Sequence, residues 1–301
     1  MGRSVVVAID GPSKSGSTFF GCHVEAEAEF QKDWALPRLS YIDELRGADN
    51  PSEDVETLRN SIFRSIGRLS AGNFFRALSL AQSISEFSGR PVTQFKPESL
   101  EDRGALLEFM AIKGIEKVLQ SDQNIAANVS TVAQMPGALE LCEAAFCDAV
   151  SLAYHQGDGD NLVIADARNP LDIFARRGLL GSGELQVLPQ SIVPVYVDAP
   201  AEVAARWLGG DPEAKTLEIL KRREADASRS HLPVIIPDNL TTELGEWAHQ
   251  FYPPQDGLVT ETFHLQNGER MTEANIQYVG GYTAAVSWDL HMMLNRQPVA
   301  H

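Results

Sequence analysis

Nine consecutive residues near the N-terminus, Asp10-Gly11-Pro12-Ser13-Lys14-Ser15-Gly16-Ser17-Thr18, combine two glycines five positions apart with a run of hydroxyl side chains. Glycines let the backbone curl until successive N–H groups converge on an oxyanion, and a helix starting there adds the positive end of its dipole. Gly11, Ser13, Lys14, Ser15, Gly16, Ser17 and Thr18 are therefore candidate phosphate-binding residues, with the Thr18 hydroxyl placed to ligate Mg²⁺. The lysine that ordinarily follows the second glycine of such a loop is Ser17 here, and the nearest lysine is Lys14, within the loop itself. A plain glycine-rich turn has the same composition. What raises this one above it is the strand pattern immediately before.

Cationic side chains recur at other places where chemistry can be done. Arg76 follows Ser70-Ala71-Gly72 by one helical turn, Asp166-Ala167-Arg168-Asn169-Pro170 closes an apolar run, and Arg222, Asp226 and Arg229 share one helical face at i, i+4 and i+7. Taken singly, each is most simply a solvated arginine or an exposed intrahelical ion pair, worth little. The whole chain, however, carries 25 Lys+Arg against 41 Asp+Glu, a net charge of −16. Arginines from separate elements in so acidic a protein point to a convergent anion pocket, while the acidic surface argues against duplex nucleic acid or anionic membrane as a partner.

The elements that must position these groups are legible as alternating patterns. Residues 4–9 (SVVVAI), 161–166 (NLVIAD) and 192–198 (IVPVYVD) read as strands buried on both faces, and 260–266 (TETFHLQ) as a weaker one. Residues 73–87, 100–120 and 137–155 have helical character. Such alternation predicts an α/β protein, a parallel sheet sandwiched by helices, with ligands at the carboxyl ends of its strands. Hydrophobic residues at 44% and charged residues at 22% fit a globular chain. Cys22, Cys142 and Cys147 form no paired framework or zinc spacing, and no apolar run reaches membrane-spanning length. No leader pattern precedes the first strand, and the expected location is the cytoplasm. The seven histidines are scattered without ligand spacing.

Taken together, four segments resemble the cytidylate kinases among the P-loop nucleoside monophosphate kinases. They are the DGP loop at residues 10–18, the Ser70 to Arg76 helix start, the segment 128–136 (NVSTVAQMP) leading to the D-x-R strand end at Asp166, and the R-x-x-x-D-x-x-R helix from Arg222 to Arg229. The loop and the Ser-Ala-Gly-x-x-x-Arg form are similar to the archaeal-type branch, in which a hydroxyl residue can replace the loop lysine. The resemblance implies a P-loop NTPase-type sheet with an inserted helical acceptor-binding region (about 70–136) and a helical lid (about 207–233), all within residues 1–240. Residues of about 22–59 have no counterpart and read as an insertion, and 241–301 form a C-terminal segment with a last strand and helix.

The resemblance also implies roles. Arg76, Arg168 and Arg229 hold an acceptor α-phosphate, Ser130, Arg222 and Asp226 hold its sugar, and Asp166 orients a metal-bound water or the acceptor. Lys14, Arg168, Arg222 and Arg229 are then the catalytic cations, with Mg²⁺ and ATP as cofactor and donor. Positions that read cytosine in the family are Ala71, Leu139, Phe75 and Asn169 here, and Asn169 retains an acceptor for an exocyclic amine. The expected activity is transfer of the ATP γ-phosphoryl to a CMP- or dCMP-like nucleotide, and the alternative is a non-catalytic nucleotide sensor of the same fold.

Overall fold

Residues 5–10, VVVAID, place β-branched and small side chains on both faces of an extended chain, and a strand so built is stable only with a layer packed on each side. In the computed structural model they form β1 (Val5–Asp10), every residue of which is buried. The structure describes residues 4–11, 17–18, 21–22, 24–26, 28–30, 32–33, 36–37, 63–83, 94–112, 115, 118–119, 123–157, 160–188, 191–198, 201–208, 210–227, 248–251 and 261–266.

Among the described residues the sheet has six strands. With β2 (Ser65–Ser70), β3 (Asn161–Asp166), β4 (Ile192–Asp198), β5 (Ala248–Phe251) and β6 (Glu261–Gln266), the order is β2-β3-β1-β4-β6-β5. All neighbours are parallel except β5 and β6. The chain leaves β1 for β2, returns to β3 between them, and then crosses to β4 on the far side of β1. In open parallel sheets such a reversal is where a ligand crevice is expected, beyond the carboxyl ends of the strands, here β1 and its neighbours.

The helices are α1 (Ala71–Ser83), α2 (Leu100–Met110), α3 (Gln123–Val132), α4 (Ala138–Tyr154), α5 (Pro170–Arg176), α6 (Ala201–Leu208) and α7 (Pro212–Ala227). On one face of the sheet Val6, Ala8, Val163 and Ala165 join Phe74 and Leu78 of α1 and Phe146 and Val150 of α4 in the main core. On the other face lie Ile9 and Ile164, against helical residues between 17 and 37. Gly21 permits that approach: a Cβ there would stand 3.3 Å from Ile9 Cδ1 and 3.6 Å from Ile164 Cγ2. The chain is thus an α/β protein with helices on both sides of a largely parallel sheet. Helices α6 and α7 pack on each other through Ala201, Ala204, Ala205 and Ile219, a small cluster apart from the main core.

Three elements differ from the sequence reading. Strand β2 was not expected, because Gly67 and Arg68 interrupt SIGRLS and leave neither an apolar run nor a period of two, and it is only half-buried at the sheet edge. The helix expected over 100–120 ends at Met110, where Ala111 bonds back to Leu107 and Ile112 makes a tighter bond to Phe109. The strand expected at 260–266 is β6, which extends the same sheet beside β4. It brings with it the unforeseen antiparallel strand β5, whose four residues carry too short a pattern to read. Of the stretch read as an insertion, the described residues up to 37 are helical, and Val24 is buried. The helix expected near the C-terminus falls outside the described residues.

Candidate functional site

The parallel register carries the site. Ile9 pairs with Asp166 and Ser70 with Asp166, so β1, β2 and β3 finish at nearly the same level. Alternation along β3 puts Asp166 on the same face as Ile164, and Arg68 of β2, paired with Ile164, faces the same way. Asp10, one residue past Ile9, faces the opposite side. Two aspartates on adjacent strands therefore flank the crevice from opposite faces of the sheet.

Both are buried, at 6% exposure. The Thr18 hydroxyl, at the beginning of the helical stretch that follows the glycine-rich loop, donates to Asp166 Oδ2 at 2.7 Å, and the Ser17 hydroxyl bonds Asp166 as well. Asp10 Oδ1 accepts the backbone N–H of Gly11 at 2.7 Å and that of Asn169 at 3.1 Å. Burial pushes the Asp166 carboxyl above its ordinary range, opposed by the Thr18 and Ser17 hydroxyls and by the charges of Arg168 and Arg68. Burial likewise raises Asp10, opposed by the two amides and by Arg168, and the neighbouring Asp166 adds to the rise. Arg168 is exposed, yet its charge acts on both aspartates. Arg68 is ion-paired to Glu25 at 2.9 Å, which ties the β2 edge to the helical stretch carrying Thr18.

The turn after β3 is shaped by Asn169, which has φ 49° and ψ 57° and caps α5, with Pro170 as the first helical residue. Asparagine tolerates this left-handed conformation better than other residues bearing a Cβ, and proline at the first helical position forfeits no hydrogen bond. Replacement by valine should destabilise the protein by about 1–3 kcal/mol, since a β-branched side chain strains that conformation. Glycine there should be near neutral. Urea unfolding of Asn169→Val and Asn169→Gly side by side checks the expectation; equal midpoints would show that backbone geometry is not what the position demands.

The predicted site residues thus divide. Gly11, Ser17, Thr18, Asp166, Arg168 and Asn169 come together at the ends of β1 and β3. Ser13, Lys14, Ser15, Gly16 and Arg229 fall outside the described residues. Arg76 lies half-buried on α1, and Ser130 lies on α3. Arg222, on α7, is exposed and makes a 2.6 Å ion pair with Glu218, one turn before it, and Asp226 lies on the same helix. The intrahelical ion pair that the bland reading allowed is therefore present, with Glu218 as the partner. Two participants went unassigned in the sequence. Asp10 was read only as the start of the loop, and Arg68 gave no signal beyond a charge within a weak strand.

Among the described residues, no three His, Cys, Asp or Glu side chains gather as a ready-made metal cage. No helix among the described residues is long and apolar enough to cross a membrane. No protein-family model matches the chain, and no curated protein matches it.

Proposed function

We propose that the protein is a nucleoside monophosphate kinase that transfers the γ-phosphoryl of ATP to a CMP- or dCMP-like pyrimidine nucleotide. The observation that carries this reading is the 2.7 Å hydrogen bond from Thr18 to Asp166, residues 148 positions apart. It joins the hydroxyl closing a glycine-rich loop to a carboxylate at the neighbouring strand end. Such a pair of oxygen donors suits Mg²⁺, which binds through one or two carboxylates, waters and substrate phosphates and needs no all-protein cage. Thr18 and Asp166 would hold the ion, which when bound neutralises charge on the donor phosphates.

The remaining roles belong to the chain. Amides from Gly11 to Ser17 cradle the donor phosphates, with Lys14 reaching them from within the loop. Arg168, at the crevice, meets the phosphoryl groups as a planar fork of donors. Arg76 and Arg229 grip the acceptor phosphate, and Ser130, Arg222 and Asp226 its sugar. Helix α7 carries Arg222 and Asp226 on a unit packed against α6, which suits a lid that closes over both nucleotides. Closure would take Arg222 from Glu218 to substrate. In-line positioning, charge neutralisation and exclusion of water are what phosphoryl transfer asks of a protein.

The test is a coupled assay with ATP and a panel of CMP, dCMP, UMP, dTMP, AMP and GMP, run beside a thermal-shift screen of the same ligands. Turnover of a pyrimidine monophosphate, with that nucleotide also raising the melting point, is the expected result. Ser17 at the position of the customary lysine favours a second reading, a nucleotide sensor without turnover. Shifts with no product for any base would establish that reading. Neither shifts nor product would overturn both.

A further inference from the structure

Strands β1 and β3 lead into segments far apart in the chain, and a single carboxylate oxygen touches the first backbone amide after β1 and an amide of the turn after β3. Asp10 Oδ1 accepts the N–H of Gly11, the first residue of the glycine-rich loop, and the N–H of Asn169, the residue after Arg168. One residue earlier the same two segments are joined by Ala167 N–H to Ile9 O at 3.1 Å. The parallel ladder between β1 and β3 is in this way prolonged past the strand ends, and its last rung is a side chain.

That rung falls where the backbone most needs support. Asn169 holds a left-handed conformation that ordinary residues avoid, and conformations of that kind persist only when the surroundings over-determine them. Here Pro170 begins α5 directly after it, Asn169 O accepts the N–H of Ile173 at 3.1 Å, and Asp10 takes its N–H. Both sides of Asn169, the residue next to Arg168, are thus held, and Asp10 supplies one of the bonds that hold it.

We propose that Asp10 is a positioning residue that straps the glycine-rich loop to the Arg168 turn, so that the donor and acceptor sites are held at one spacing. The proposal rests on the kinase reading for its consequence but not for its geometry. A shared strap lets either nucleotide, by ordering its own loop, order the other loop in advance. Each should then tighten binding of its companion by the same factor.

Two variants separate geometry from charge. Asp10→Asn keeps a carbonyl oxygen able to accept both amides, whereas Asp10→Ala removes the acceptor. Amide hydrogen exchange of the nucleotide-free, full-length protein reads the strap directly. Exchange at Asn169 should speed up by about tenfold or more in Asp10→Ala and stay within about threefold of wild type in Asp10→Asn, as removing a buried acceptor from an amide implies. Amides of α4 around Phe146 serve as the reference for global opening and should be unchanged.

The second measurement is the affinity for CMP with and without a saturating non-hydrolysable ATP analogue and Mg²⁺. Wild type and Asp10→Asn should show tighter CMP binding with the analogue present, and Asp10→Ala should lose that enhancement. Unchanged Asn169 exchange in Asp10→Ala, or Asp10→Asn matching Asp10→Ala in both measurements, overturns the strap. If wild type binds no nucleotide, the kinase reading fails, and the exchange data by themselves decide the strap.

Discussion

Asp166→Asn is expected to raise the melting temperature of the nucleotide-free protein by a few degrees while removing the proposed phosphoryl-transfer activity. The two effects have one cause. Asp166 is buried, and desolvation outweighs the hydroxyls of Thr18 and Ser17 and the charges of Arg168 and Arg68 that favour its ionised form. Above the ordinary carboxylate range the native protein therefore bears a cost, in desolvation or in proton uptake, that the unfolded chain does not. Asparagine is close to aspartate in shape, still accepts the Thr18 hydroxyl, and carries no charge to desolvate. An amide is a poor ligand for Mg²⁺ beside polyphosphate, however, and several kcal/mol of charge stabilisation lost in the transition state is roughly 10²-fold or more in kcat/KM.

The pH dependence has a definite sign. Burial holds the native pKa of Asp166 above the ordinary value of 3.8, so between 3.8 and the native pKa the folded state binds more protons than the unfolded one. Stability contributed by this group is fully present below 3.8 and is lost as the pH rises through the native pKa. The asparagine variant does not titrate there. Its advantage over wild type should therefore be smallest in acid, grow across that window and level off above it. Asp10, raised by the same cause, titrates in both proteins and largely cancels from the difference. Melting curves of the two proteins from acid to neutral pH, with and without Mg²⁺ and ATP, make the measurement. A variant less stable than wild type at neutral pH, or one of undiminished activity, would contradict the assignment.

Phe146→Ala should cost about 3–5 kcal/mol of stability, a large share of the total for a domain of ordinary stability. Phe146 is fully buried on α4, its ring edge-on to Phe74 of α1 at 5.9 Å and stacked near Phe174 of α5 at 6.2 Å. One ring thus fastens three helices, and its loss leaves a cavity that rigid neighbours cannot close. Phe146→Leu, which fills most of that space, should cost about 1–2 kcal/mol. Urea unfolding checks both: the midpoint should fall in that order with little change in slope. A loss below about 1 kcal/mol for alanine would mean that the helices are fastened elsewhere.

One such fastening lies at the far end of α5. Glu143 of α4, buried, accepts bonds from both Arg176 and Arg177, and Asp172 takes a further bond from Arg176. Phe174 and this charge cluster hold α5 against α4, and the opposite end of α5 is the Asn169 turn. Loosening the aromatic contacts should accordingly be felt at Arg168 as well as in overall stability.

How much of this was legible in advance differs by element. Strands buried on both faces announce themselves by uninterrupted apolar runs, and β1, β3 and β4 lie within a residue of where those runs predict. Edge strands carry no such mark. Strand β2 mixes Arg68 and serines into a half-buried surface, and only its pairing with β3 makes it a strand. The candidate site divides in the same manner. Thr18 and Asp166 stood out because each ends a pattern, a glycine-rich loop in one case and an apolar strand in the other. Asp10 and Arg68 did not, since their roles depend on partners at Asn169 and Glu25, far away along the chain.

The amino-acid sequence by itself determined the class of the molecule, the central strands, and the residue types gathered where those strands end, because hydrophobic period and turn chemistry are local properties of the chain. Tertiary structure alone decided which of those residues meet. The parallel register sets Asp166 beside the end of β1 and within reach of Thr18, and it brings the amide of Asn169 to Asp10. Strand order and register arise from packing between segments far apart along the chain, and no short window of sequence contains that information.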